Sequence, residues 1–138
     1  MYQKLMVPVD LAHTAALEKA LTVAADLARQ YQSAICYVGV CTTSPTEVAH
    51  NPDEFASCME RFSQQQAEQH QLADVSCVTC ISHDPAADLN QVLIQAAEDN
   101  SADLVVMASH LPGIVDHIFT SHAGYLASHC KLSVLIVR

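Results

Sequence analysis

The chain has 138 residues, half of them apolar, with six basic against fifteen acidic side chains and a net charge of −9. That length fits one domain, 1–138, able to bury its own core without staples. No apolar run approaches the roughly 18 consecutive residues of a membrane span, and the strongly acidic balance disfavours both anionic lipid and nucleic acid, whose affinity comes from Lys and Arg. No Lys or Arg occurs between Arg61 and Lys131, so no local basic patch offsets the balance.

The opening KLMVPVD, residues 4–10, is a near-continuous apolar run that ends at Asp10. It reads as a first strand covered on both faces rather than as a signal peptide, which makes a cytoplasmic protein the expectation. From Thr14 to Gln32, Leu17, Leu21, Ala24 and Ala28 recur at helical spacing, with Thr14 as the expected N-cap and Glu18 in the first turn. SAICYVGVC (33–41) is a second strand. TTSPTEVAHNPDE (42–54), polar and with two prolines, is expected to be the least ordered segment. A polar helix follows over 55–71, then a third strand, ADVSCVTCIS (73–82), and a turn at 83–85. The third helix, 86–100, turns Leu89, Leu93 and Ala96 inward. ADLVVMAS (102–109) is a fourth buried strand, a helix is predicted over 121–130, and LSVLIVR (132–138) closes the chain as a fifth.

Strands alternating with helices predict a parallel sheet covered on both faces. Five strands fit a doubly wound α/β sheet ordered 3-2-1-4-5. Ligands of such sheets bind beyond the carboxyl ends of the strands, where the order reverses. That point brings together Pro8, Val9 and Asp10, the end of strand 2 near Val40, and the loop after Met107. The residues alone leave Asp10 two roles, a cap for the first helix or a ligand contact.

The stretch MASHLPGIVDHIFTSHAG (107–124) stands where α/β proteins place phosphate loops, yet it holds two glycines, no Lys or Arg, and three histidines. His110, His117, His122 and His129 are spaced seven, five and seven apart, unlike the i,i+4 pairs of helical metal sites, and no metal is expected. Protonated His110 and His122 could offset phosphate charge at low pH. Cys77 and Cys80 form a CxxC, but residues three apart on a strand face opposite ways, so no redox role is expected. All six cysteines are expected to be reduced, with Cys58 the most exposed. No G-x-S-x-G elbow and no carboxylate pair suggests catalysis.

The opening VPVD (7–10), the VMASH of 106–110 and the closing SVLIVR (133–138) resemble the universal stress protein family over the whole chain. Ala108-Ser109-His110-Leu111-Pro112-Gly113-Ile114 is similar to its small enteric branch. The resemblance implies a Rossmann-like domain, a homodimer through the last strand (132–137), and in many members ATP binding. Asp10 matches the aspartate ending strand 1, and Val40 the adenine contact at the end of strand 2. The family's Gly-x2-Gly-x9-Gly-Ser/Thr motif is absent: its glycines fall at Ala108, Leu111 and Thr120, with Ser121 as hydroxyl, or the last pair falls at Ser121 and His122. A Cβ at these positions restricts positive φ and holds the backbone off a phosphate, and no cation assists. Only a helix N-terminus near Thr120 and Ser121 remains to attract an anion. The expectation is therefore a non-catalytic stress regulator that binds AMP or ADP rather than tight ATP, with Mg²⁺ if a triphosphate enters. The alternatives are a member acting only through contacts with a partner protein, and a slow ATPase or autophosphorylating protein with Ser121 or His122 as acceptor.

Overall fold

The structure, a computed structural model, describes residues 1–109 and 117–138, with side chains undescribed at Ala86 and at 117–121. Its elements in chain order are β1 (Lys4–Val9), a 3-10 segment (Leu11–Leu17), α1 (Glu18–Tyr31), β2 (Ala34–Cys41), α2 (Pro52–His70), β3 (Val75–Ile81), α3 (Pro85–Asp99), β4 (Leu104–Ala108), α4 (His117–His129) and β5 (Ser133–Val137). The strands form one parallel sheet in the order β3-β2-β1-β4-β5, the doubly wound arrangement the alternation predicts.

The alternation of side chains along β1 divides the interior in two. Leu5, Val7 and Val9 face α1 and α2, packing with Leu21, Ala24 and Ala28 of the first and Phe55, Met59 and Phe62 of the second. Met6 faces the other way with Cys36 and Val38, against Leu93, Ala96 and Ala97 of α3 and Ala123 and Leu126 of α4. The predicted inner faces of α1 and α3 are thus the buried ones. The same alternation separates the CxxC pair, since Cys77 packs on the α1/α2 side and Cys80 on the α3/α4 side.

Three local readings are corrected. Thr14 does not cap the first helix. Asp10 instead caps a 3-10 segment kinked at His13, its Oδ1 accepting from Ala12 N at 3.0 Å, and α1 begins at Glu18 after Leu17 with no side-chain cap. Second, α2 starts at Pro52 rather than Phe55. Asn51 is its N-cap, accepting from Glu54 N at 2.9 Å, Pro52 takes the first turn where its missing N–H costs nothing, and Glu54 accepts back from His50 N at 2.8 Å. The prolines of 42–54 therefore mark a helix start as well as a loop. Third, α4 begins at His117, four residues before the helix predicted at 121. The segment expected to be the least ordered is also pinned, with Thr46 N donating to Ala49 O at 2.8 Å and Ala49 buried in the core.

One ladder is short. β1 pairs with β2 from Lys4↔Ala34 through Val9↔Gly39, but with β4 only at Leu5↔Leu104 and Met6↔Val105. At the amino ends Asp103 clasps the pair: its carboxylate accepts from Gln3 N (2.8 Å) and Lys4 N (3.1 Å), and its own N–H donates to Lys4 O (3.0 Å). At the carboxyl ends Pro8 brings no N–H to a ladder, and β1 and β4 are no longer paired with each other, though β1 stays paired with β2 and β4 with β5.

Candidate functional site

Above those ends lies a cavity of about 400 Å³. It sits where the strand order reverses, between β1 and β4. Pro8, Val9 and Asp10 come from the end of β1, Val38, Val40 and Cys41 from β2, and Met107 and Ala108 from β4. Leu89 and Leu93 of α3 close one wall. The segment after β2 forms the other, through Thr42, Ser44, Thr46, Glu47, Val48 and Ala49, with Asn51 and Phe55 at the start of α2.

Gly39 makes that second wall possible. A Cβ there would lie 2.6 Å from Met59 Sδ and 2.8 Å from Phe55 Cε1, so only the absent side chain lets α2 settle onto β2. Phe55 and Met59 are 7% and 0% exposed as a result, and the Phe55 ring becomes part of the cavity lining.

Asp10 is a cap and also stands in the cavity wall. Its Oδ1 caps the 3-10 segment, its Oδ2 lies 3.0 Å from His13 Nδ1, and the residue lines the cavity. Cys41 puts a thiol in the wall, but burial pushes its pKa up, so it stays protonated and is not primed as a nucleophile. Among the described lining residues Asp10 and Glu47 are the charged ones, and no Lys, Arg or His is present. Lys19 is bound elsewhere, donating to the backbone O of Arg138.

The structure thus gathers six of the residues singled out in the sequence, Pro8, Val9, Asp10, Val40, Met107 and Ala108, around one cavity. His110 and Leu111 lie outside the described residues, and Thr120 and Ser121 are placed only as backbone of α4. His122 is buried, 6% exposed, and does not line the cavity; its Nδ1 contacts Asn90 Oδ1 on α3. Burial holds its imidazole below the usual pKa, because a charge there loses its water. His129 lies on the outside, stacked on Tyr125 at 3.8 Å. Ser109, just past β4, donates its N–H to Val137 O at 2.8 Å and is buried, while its hydroxyl has no partner among the described residues. Among those residues no three His, Cys, Asp or Glu side chains converge on a metal position, and no helix is long and apolar enough to cross a membrane. Cys58, expected to be the most exposed thiol, is half-buried, as are Cys77, Cys80 and Cys130, while Cys36 and Cys41 are buried.

The wall built from 42–49 and Phe55 escaped the sequence reading. Periodicity is silent in such a segment, and the available signal was positional: it follows the carboxyl end of a strand next to the crossover point.

The sequence profile of the universal stress protein family matches residues 1–138. The chain belongs to that family. It is similar to universal stress protein G of Salmonella typhimurium, 30% identical over 149 residues, with all of each chain covered. Among solved structures it resembles a universal stress protein in complex with cAMP (TM-score 0.73, 18% identity, 99% of this chain and 97% of that one). It also resembles the Archaeoglobus fulgidus universal stress protein in complex with dAMP (TM-score 0.66, 15% identity, 99% and 98%). At those identities the two structures speak for the fold.

Proposed function

We propose that this universal stress protein is a cytoplasmic regulator that binds an adenine nucleotide in reduced form, AMP or ADP rather than tight ATP, without turning it over. The observation carrying this is the cavity at the β1/β4 reversal, which joins Asp10 and Val40 to an apolar interior and offers no Lys or Arg. An apolar slot with a few polar groups is what a purine and ribose require, while a triphosphate normally wants charge-assisted bonds to Lys or Arg. No such residue occurs in 62–130 either, and the motif glycines are replaced. Relatives of the same fold whose structures were solved in complex with cAMP and dAMP support an adenylate as ligand.

The protein acts as a homodimer through β5, the edge strand, where Leu135 and Ile136 are 37% and 39% exposed. Calorimetric titration with ATP, ADP and AMP, each with and without Mg²⁺, tests the ligand. AMP or ADP binding with weaker ATP supports the proposal. Tight Mg²⁺-dependent ATP binding refutes the preference, and silence with all three refutes nucleotide binding and leaves contacts with a partner protein.

A further inference from the structure

We propose that the outer edge of β3, with the groove between β3 and α3, is a docking site for a partner protein that adds a basic, extended segment to the sheet. β3 is one of the two edges of the sheet, and no strand of the described residues lies beyond it. Peptide groups along a strand point alternately to its two sides. Asp74 O accepts from Ile35 N at 2.9 Å and Ser82 N donates to Cys41 O at 2.8 Å, so the even-numbered residues turn their N–H and C=O toward β2. Val75, Cys77, Thr79 and Ile81 therefore turn theirs outward, a row of donors and acceptors for a further strand. Exposed edges are commonly guarded by Lys, Pro or a bulge. The VSCVTCI of β3 has no charge and no proline, and it pairs with β2 over all seven residues without a bulge. Ile81, at its carboxyl end, is 51% exposed.

The groove gives the chemistry of the partner. α3 packs over β2 and leaves an open groove of about 670 Å³ along β3. Val78 and Cys80 form its half-buried floor, and Asp88 and Asp99 of α3 stand exposed along it. Each carboxylate is met by a neutral donor, Ser82 Oγ at 3.3 Å and Gln95 Nε2 at 2.7 Å, and neither has a cation among the described residues. The chain that frames the groove, 73–102, adds Asp74, Asp84 and Glu98 and contains no Lys or Arg. A strand laid along β3 sends every second side chain to this face, so Lys or Arg at alternate positions complements the two carboxylates. A second copy of this chain is the poorer occupant. At a net charge of −9 it would set one acidic groove against another.

The probes are two fluorescein-labelled peptides of the length of β3, one alternating lysine with valine, the other glutamate with valine. Each is titrated with the full chain and followed by anisotropy. The lysine peptide should bind and the glutamate peptide should not, and the affinity should fall as NaCl rises. Amide hydrogen exchange at Cys77 and Thr79, whose N–H groups point outward, should slow when the lysine peptide is bound. The double variant Asp88→Asn, Asp99→Asn should weaken binding by roughly three-fold, the scale of exposed ion pairs. Asparagine keeps an oxygen that accepts from Ser82 and Gln95, so the variant should fold, and its unfolding midpoint is recorded as the control. Equal binding of both peptides, or of neither, would overturn the proposal. So would a lysine peptide that leaves Cys77 and Thr79 exchanging freely, or one whose affinity the double variant does not move. Self-association that protects the same two amides in the protein alone would assign the edge to a second copy instead.

Discussion

Replacing Gly39 by Ala adds one methyl group where the structure leaves no room. The new carbon would stand 2.6 Å from Met59 Sδ, 2.8 Å from Phe55 Cε1 and 3.0 Å from Phe55 Cζ. Carbon atoms pack best at about 3.5–4.0 Å, so the neighbours must withdraw by roughly 1 Å. Met59 can turn its thioether aside at small cost. The Phe55 ring is stiffer, and it sits at the start of α2 against β2. Overpacking of this kind costs about 1–3 kcal/mol, read as a lowered urea midpoint at unchanged slope. Because Phe55 lines the cavity, ligand affinity should fall as well. Gly124 supplies the contrast within the same molecule. It lies exposed in α4, a Cβ there meets nothing within 4 Å, and Gly124→Ala should stabilise by roughly 0.5–1 kcal/mol. Were Gly39→Ala to match the wild type within about 0.5 kcal/mol, less than overpacking entails, α2 would not rest on β2 as described. The cavity wall would then need to be redrawn.

Two further expectations follow from the same packing. His122 holds its neutral form in the fold, so the stability it contributes is fully present above the ordinary histidine value of 6.5 and is lost as pH falls below it, where the unfolded chain takes up the proton first. Urea midpoints at pH 7 and pH 5 should fall more steeply for the wild type than for His122→Gln; parallel profiles would remove the argument. Ile136→Glu on β5 tests the proposed dimer: sedimentation at micromolar concentration should show a dimer for the wild type and a monomer for the variant, and a variant dimer would place the interface elsewhere.

The layout of the sheet was legible because its signals are periodic. Apolar runs of strand length alternate with faces such as Leu17, Leu21, Ala24 and Ala28, and chain connectivity then leaves few topologies. The inner half of the site followed from topology, since Asp10, Val40, Met107 and Ala108 stand at strand ends whose convergence is a rule of the fold. Two kinds of feature were not legible. One is the choice of cap: Thr14 and Asp10 both suit the role, but Asp10 caps a separate 3-10 segment and α1 begins after Leu17 with no side-chain cap. The other is close approach across the sequence. Gly39 reads as an ordinary strand residue until Phe55 and Met59 are found above it, 16 and 20 positions later. His122 belongs to the same class, because nothing local announces that Asn90, 32 residues earlier, will take its Nδ1.

The clasp made by Asp103 gives the sheet the mechanics of a clothes-peg. β1 and β4 are gripped at one end by three hydrogen bonds, and their ladder stops after Met6↔Val105, so the hold on the pair lies away from the cavity. The grip at Gln3 and Lys4 lies at the opposite end of these strands from Pro8 and Ala108. Asp103→Ala, which removes the two bonds to Gln3 N and Lys4 N, is therefore a change at the handle that leaves every residue of the jaws the same.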